Sequence, residues 1–321
     1  MTQTKQIQNW LFFTAFMVFS MAIIGAITRL TGSGLSMAEW RPLMGALPPL
    51  NDTEWHRVFT LYQQTPEYQK INLGMTLSEF KNIFFWEWFH RLWGRLIGLV
   101  YALPLFYFWI RRQIPQGYKL KLLIGLFLGG LQGLMGWYMV KSGLVDRPAV
   151  SHFRLAAHLG LAFIIFAYLL WIGFSLRDTA KRISSFCEKR HGWITLGFIA
   201  TTIIWGAYVA GLDAGMVYNS WPKMGAHWLP PEINAFTNIF FEPVSVQFAH
   251  RWLAILTMLV TFTFAYRIKN YAIAVMVFVQ VGLGIATLLS QVTIPLAAIH
   301  QAGAFILVGF MIYQLQKMHR G

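Results

Sequence analysis

The chain is short of charge and short of cysteine. Charged residues make up 12% of its 321 positions, about half the share usual in a soluble globular protein. The acidic side is the thinner one, with 12 Asp and Glu against 26 Lys and Arg. The single cysteine, Cys187, excludes an intramolecular disulfide and makes a cysteine-based metal site implausible. No phosphate-binding loop, dinucleotide-binding glycine pattern or HExxH zinc motif occurs. Apolar residues fill the space instead: 56% of the chain, with 17% aromatic, including 14 Trp and 27 Phe. This composition rules out a disordered chain, a coiled coil and a soluble multi-domain enzyme, and points to a polytopic membrane protein. The formal net charge of +14 does not signal nucleic acid, because the basic residues sit in short segments between apolar runs.

Eight apolar runs are long enough to cross about 30 Å of hydrocarbon as helices: about 10–30, 84–110, 119–140, 152–176, 192–211, 244–266, 271–290 and 293–315. The first has no small-residue cleavage site and is expected to span rather than to be a cleaved signal peptide. Basic residues gather in alternate segments, at Lys5; Arg111, Arg112, Lys119 and Lys121; Arg177, Lys181, Arg182, Lys189 and Arg190; Arg267 and Lys269; and Lys317 and Arg320. The positive-inside rule puts those segments, and both termini, in the cytoplasm. Two long segments, about 31–83 and 212–243, then lie outside, and Cys187 is expected in an inner loop.

The chain repeats itself. Trp40-Arg41-Pro42-Leu43-Met44-Gly45-Ala46-Leu47-Pro48-Pro49 in the first outer segment is answered by Trp221-Pro222-Lys223-Met224-Gly225-Ala226-His227-Trp228-Leu229-Pro230-Pro231 in the second. His90-Arg91 is answered by His250-Arg251, Gln132 with Gly136 by Gln280 with Gly284, and Ala156-Ala157-His158 by Ala297-Ala298-Ile299-His300. The expected fold is therefore an all-α membrane protein of eight transmembrane helices, arranged as two pseudo-symmetric four-helix bundles, 1–178 and 190–321. An even helix count gives both halves the same orientation, which is a parallel repeat about an axis along the membrane normal.

Of nine histidines, His56, His152, His191, His227 and His319 fall near helix ends, in loops or in the tail. His90, His158, His250 and His300 fall inside apolar runs, roughly 9–12 Å below the outer surface at 1.5 Å per residue. Polar side chains at such depth are expensive and mark functional sites. A lone histidine there is as readily a hydrogen-bonded core residue; four in one layer, repeated as two pairs, favour iron, copper or zinc. No carboxylate or thiolate set accompanies them, and a facing pair of imidazoles in apolar surroundings is how a helical bundle grips a heme. Each half thus reads as a bis-histidine heme site, His90 with His158 and His250 with His300. Arg91 and Arg251 are natural partners for heme propionates. Arg29 and Arg154, nearer the outer boundary, fit either propionate contact or snorkelling to the interface.

One position breaks the repeat. Glu87 precedes His90 by three residues, which places both on one helix face, and its counterpart before His250 is Gln247. A carboxylate near the membrane interior suits proton transfer, or it pairs with Arg91 or another arginine. The difference suggests that the glutamate half does chemistry and the glutamine half holds a permanent cofactor. Glu79 is expected only to cap the second span, and Trp40, Trp221 and the paired prolines to shape the outer loops.

The run from Glu79 to Arg95, containing Trp86-Glu87-Trp88-Phe89-His90-Arg91, resembles the helix-two signature of the heme A synthases, cytochrome oxidase assembly enzymes of bacterial and mitochondrial inner membranes. Arg29-Leu30-Thr31-Gly32-Ser33-Gly34-Leu35-Ser36, the Gln132 and Gln280 segments and the four intramembrane histidines extend the resemblance over nearly the whole chain. It implies that a ring methyl of the substrate heme O is oxidised to a formyl group, giving heme A, by successive hydroxylations and loss of water. It implies heme B as cofactor on His250 and His300, the substrate heme on His90 and His158, and Glu87 as the catalytic carboxylate. Some members carry a cysteine pair in the outer loops of the N-terminal half; this chain is similar to the cysteine-free subgroup, which excludes a thiol relay. Implied partners are membrane lipid, heme O synthase and oxidase assembly factors, with no nucleic acid. Glycines in the spans permit homo-oligomerisation as readily as internal packing. A diheme electron-transfer protein of cytochrome b type would use the same histidines without Glu87; a heme transporter or chaperone would need an exit path and no oxidation.

Overall fold

A computed structural model describes residues 3–39, 44–144, 148–176, 183–233 and 239–319. Trp40 to Leu43 of the first outer loop, and Arg177, Lys181, Arg182 and Arg320 of the inner basic set, lie outside the described residues. The described residues are helical, with one isolated bridge, Met224 to His227, in the second outer loop. Eight helices have the length and apolarity to cross a membrane: α1 Gln3–Leu30, α4 Leu77–Ile110, α5 Lys119–Gly143, α6 His152–Ser175, α7 Phe186–Gly211, α8 Pro243–Arg267, α9 Tyr271–Leu289 and α10 Ile294–His319. The chain is a multi-pass membrane protein.

Two short helices in the first outer loop, α2 Asp52–Gln63 and α3 Pro66–Lys70, had no counterpart in the sequence reading. Their signals are local. Asn51 accepts from the Glu54 N–H, and Thr65 accepts from the Tyr68 N–H with Pro66 at the first helical position; both are standard helix starts. Hydropathy also misplaced the start of three spans by several residues, α1 among them at Gln3, because it locates the hydrocarbon segment and not the polar turns beyond it. α4 starts at Leu77 on a capping box of Thr76 and Glu79, and α7 at Phe186 on one of Ser185 and Glu188. Glu79 is thus a cap, as expected. Cys187 is exposed in the first turn of α7, not in a loop.

At 34 residues α4 is about 51 Å long, well beyond the hydrocarbon thickness. Its outer end projects, and α2 and α3 close over it. Tyr62, Phe80 and Phe84 form a separate apolar cluster there, with Trp55, Phe59 and Tyr68 packed around it.

The spans pack in a regular pattern. α1 lies against α4 and α6, as α7 lies against α8 and α10. α5 lies against α4 and α6, as α9 lies against α8 and α10. Between these groups α1 meets α10, α6 meets α7, and α6 meets α10. Exchanging α1, α4, α5, α6 for α7, α8, α9, α10 maps each contact onto another, which is consistent with the repeat read from the sequence. Phe163 of α6 stacks on Phe305 of α10 at 3.7 Å between ring centroids, and the Gln301 amide donates to the Ala22 carbonyl. A groove of about 370 Å³ between α1, α6 and α10 is lined by phenylalanines such as Phe19, Phe166 and Phe310 and contains no histidine.

Candidate functional site

The four intramembrane histidines are brought together in twos. His90 on α4 lies within electrostatic reach of His158 on α6, and His250 on α8 within reach of His300 on α10. Among the described residues no group of three or more His, Cys, Asp or Glu gathers, so neither pair has a third side chain with which to hold a bare ion.

Each imidazole rests on a glycine of the neighbouring helix. A Cβ on Gly25 would lie 3.1 Å from His90 Cε1, on Gly136 3.1 Å from His158 Cε1, on Gly206 3.2 Å from His250 Cε1, and on Gly284 2.9 Å from His300 Cε1. All four distances are shorter than an ordinary carbon contact. A larger residue at Gly284 would force the His300 ring to shift, and one at the other three would press its ring by a few tenths of an ångström. Gln132 donates to the His158 carbonyl at 3.1 Å, and Gln280 to the His300 carbonyl at 3.0 Å; both amides also face a ring nitrogen of that histidine. Nδ1 of His90 and of His250 is buried with no hydrogen-bond partner among the described residues.

These features fit a heme. A heme would need only two imidazoles per site, the glycines would leave room for it beside the rings, and packing on a neighbouring helix fixes ring orientation. Sequence reading quoted Gln132, Gly136, Gln280 and Gly284 as repeat markers without assigning them this contact. It missed Gly25 and Gly206. The signal was available: Gly25-Ala26 and Gly206-Ala207 recur at corresponding places in α1 and α7.

The outer boundary of the two sites differs in polarity. In the N-terminal site Glu87 is 3% exposed. One oxygen accepts the Ser36 hydroxyl at 2.7 Å and the Met37 N–H at 2.6 Å; the other accepts Arg91 at 2.5 Å. Of the roles the sequence left open for Glu87, the ion pair with Arg91 is present. Arg91 also donates to the carbonyls of Met37 and Glu39. Ser36 and Met37, at the end of the Arg29–Ser36 run and just after it, thus supply the loop's donors to the carboxylate, with Gly32 turning at φ 63°.

In the C-terminal site Gln247 donates to the Tyr218 carbonyl at 3.0 Å, and Arg251 donates to the carbonyls of Tyr218 and Ser220, both at 2.7 Å. The first loop therefore offers donors to a carboxylate, whereas the second offers carbonyls to an amide. Arg251 keeps Nε buried without a hydrogen-bond partner among the described residues. Arg29 pairs with Asp213 at 2.8 Å and with the Ala210 carbonyl, tying α1 to the end of α7. Arg154 donates to the Tyr138 carbonyl at 2.8 Å and lies 3.8 Å above its ring.

Burial shifts the acidity of two groups in the outer cap. Burial holds the Glu67 carboxyl at the start of α3 up at about 7, and burial raises the Tyr62 hydroxyl as well.

Residues 8–312 match the COX15-CtaA family, described as cytochrome oxidase assembly protein. The chain belongs to this family. It is 49% identical to a protein of Rhodospirillum centenum named heme A synthase, over 98% of this chain and 88% of that one. It is 43% identical to a heme A synthase of Nitrosospira multiformis, covering 98% and 94%, and 44% identical to that of Maricaulis maris, covering 97% and 95%. The family match takes in both histidine pairs, Glu87 and Gln247 together.

Proposed function

We propose that the chain is a heme A synthase that oxidises a ring methyl of heme O to a formyl group. The observation that carries this reading is the asymmetry between two otherwise equivalent sites: two histidine pairs on glycine cradles, only one of them, among the described residues, beside a buried carboxylate. An electron-transfer protein has no use for that difference, whereas an enzyme with one substrate site and one cofactor site does. The near full-length likeness to proteins named heme A synthase supports it.

In this reading the N-terminal half, 1–178, binds the substrate heme between His90 and His158. The C-terminal half, 190–321, would hold heme B through His250 and His300, a group that supplies one-electron redox chemistry when bound. Going from methyl to formyl takes four electrons from the carbon and exchanges two of its hydrogens for one oxygen, with two hydroxylations and loss of one water as the route; the oxidant and the oxygen come from outside the chain. Protons move at the same site, and Glu87 is the side chain to move them. Ser36, Met37 and Arg91 hold its carboxylate in place, three residues before His90 on the same helix. His90 and His158 position the substrate ring. Propionates would meet the outer layer, where Arg91, Arg251, Arg29 and Arg154 supply positive charge. Basic Lys5, Arg111, Arg112, Lys189, Arg190, Arg267 and Lys317 put both termini on the cytoplasmic side of a bacterial inner membrane.

The test is a heme inventory. The protein is expressed with a heme O synthase and purified in mild detergent, and its extracted hemes are identified by chromatography and mass. Heme B together with heme A, or with a hydroxylated intermediate, is expected. Heme B alone, with heme O available, would sink the reading.

A further inference from the structure

Among the described residues, hydrogen bonds join the two halves at two levels. At the outer rim Arg29 of α1 bonds the Ala210 carbonyl and the Asp213 carboxylate, and His152 of α6 meets the Phe240 carbonyl. At the depth of the histidines the join is Gln301 of α10, whose amide donates to the Ala22 carbonyl of α1. Deeper in, the contact between these two helices is aromatic, with Phe19 edge-on to Phe305 at 6.2 Å. Packed rings hold two helices together but let one turn or slide against the other. A hydrogen bond has a direction and a length, and within hydrocarbon no water competes for it.

The two ends of this bond belong to different histidine sites. Gln301 follows His300 directly, about 100° further round α10, so His300 packs on Gly284 of α9 while Gln301 reaches α1. Ala22 lies three residues before Gly25, the residue on which the His90 ring rests at 3.1 Å from the position of a Cβ. The Ala22 carbonyl also closes the turn that contains Gly25, because in an α-helix it accepts the Ala26 N–H. A carbonyl oxygen has two lone pairs and takes both donors. The line from His300 to His90 is therefore continuous: a peptide bond, a hydrogen bond, one helical turn and a van der Waals contact.

The tie has no counterpart in the other direction. The repeat sets Leu159 after His158 where Gln301 follows His300. Leu159 has no polar atom to offer α7, whose Gly206 seats His250. An amide is more expensive than a leucine in hydrocarbon, and the leucine at the matching place shows that packing alone does not call for one. The C-terminal half thus reaches the seat of a histidine in the N-terminal half, and the N-terminal half does not reach back.

We propose that Gln301 is a positioning residue that sets the seat of His90 from the cofactor half, so that the orientation of the substrate heme depends on α10. The proposal rests on the reading of His90 and His158 as ligands of the substrate heme. Gln301 acts through the 22–26 turn of α1 and not on the reacting atoms, so it is not a catalytic residue.

Two measurements on the full-length protein test this. In the first, protein purified with heme B from cells lacking a heme O synthase is titrated with heme O. Gln301→Met keeps the length of the side chain but cannot donate, and Gln301→Leu installs the residue found at 159. Both variants should keep heme B with an unchanged electron paramagnetic resonance signature. Both should bind heme O roughly 10-fold more weakly and shift the signature of the heme O they bind. Unchanged heme O affinity and signature would overturn the proposal. So would a shift confined to heme B, which would make Gln301 a support of its neighbour His300 alone. The second measurement is hydrogen–deuterium exchange in detergent. Peptides covering 20–30 of α1 should exchange faster in both variants than in the wild type, and those covering 201–211 of α7 should not change. Equal exchange in α1 would overturn the tie. If the wild type takes up no heme O, it is the synthase reading that falls, and the exchange still decides whether Gln301 holds the α1 turn.

Discussion

Replacing Gly284 by alanine tests the glycine cradle most directly, because α9 supplies its own control. The new Cβ would lie 2.9 Å from Cε1 and 3.5 Å from both ring nitrogens of His300. Ordinary contact begins at 3.4 Å, so the ring must retreat by about 0.5 Å, the tolerance within which a functional constellation has to be held. Overpacking of this kind costs about 1–3 kcal/mol. Disturbing what orients a metal-ligating histidine lowers metal affinity roughly 10- to 100-fold. Gly282 lies two residues earlier on the same helix, and a Cβ there meets nothing within 4 Å. Gly282→Ala should be neutral, or gain up to about 1 kcal/mol of helix propensity. The assay is heme-to-protein ratio after purification, together with the optical signature of a six-coordinate low-spin heme. Gly284→Ala should lose heme from one site and perturb that signature; Gly282→Ala should keep both. Equal heme content and identical spectra in the two variants would show that the glycine contact has no part in ligation.

Other outcomes follow from the same geometry. Glu87→Gln should keep heme binding but cut heme A output about 100-fold or more, read by heme extraction; full output would remove Glu87 from its role and favour electron transfer. Gln247→Glu sets a carboxylate against the Tyr218 carbonyl that the amide now bonds, so thermal unfolding should show a loss of about 1–3 kcal/mol, where a stable variant would contradict the acceptor lining. The Glu67 carboxyl is raised from 4.5 to about 7 in the fold, so between those values the folded cap holds a proton that the unfolded chain has released. Its stability is then full below about 4.5, falls as pH rises toward about 7 at up to about 1.4 kcal/mol per pH unit, and is level above that. Denaturation of the cap followed by tryptophan fluorescence should show this slope in the wild type and not in Glu67→Gln.

The spans, the pairing of the histidines and the break at Glu87 were legible in the sequence because each rests on a one-dimensional pattern. Hydropathy finds what must sit in hydrocarbon, and a repeat of His-Arg or Gln-Gly needs no coordinates. Three things were not legible, for different reasons. The helices α2 and α3 are polar and short, so periodicity passes over them and only the caps at Asn51 and Thr65 announce them. The cradle glycines Gly25 and Gly206 act across helices, and which of several glycines faces a histidine depends on helix rotation. Sequence composition could equally have nominated Gly282 or Gly133, next to which nothing lies within 4 Å. The arginines were read as propionate partners from charge and depth alone. The fold adds that Arg91 and Arg251 already hold loop carbonyls and that Arg29 holds Asp213, contacts between residues 31 to 184 positions apart in the case of the carbonyls of Ser220 and the Asp213 carboxylate.

The difference between the two sites is therefore a property of the loops as much as of one side chain. A lone Glu-for-Gln exchange in α8 would not recreate the N-terminal site, because Gln247 and Arg251 both donate into carbonyls of the second loop, whereas Glu87 receives a hydroxyl and an N–H from the first. An ionised carboxylate is an acceptor only, so it is stable beside Ser36 and Met37 and unstable beside Tyr218. To convert one site into the other, the loop must change with the helix. The doubly altered protein, carrying Gln247→Glu and the segment Thr31–Met37 in place of its counterpart in the second loop, should recover the stability that Gln247→Glu alone loses. Recovery of less than about half of that loss in thermal unfolding would mean that the lining of the loops does not set which side chain each site accepts.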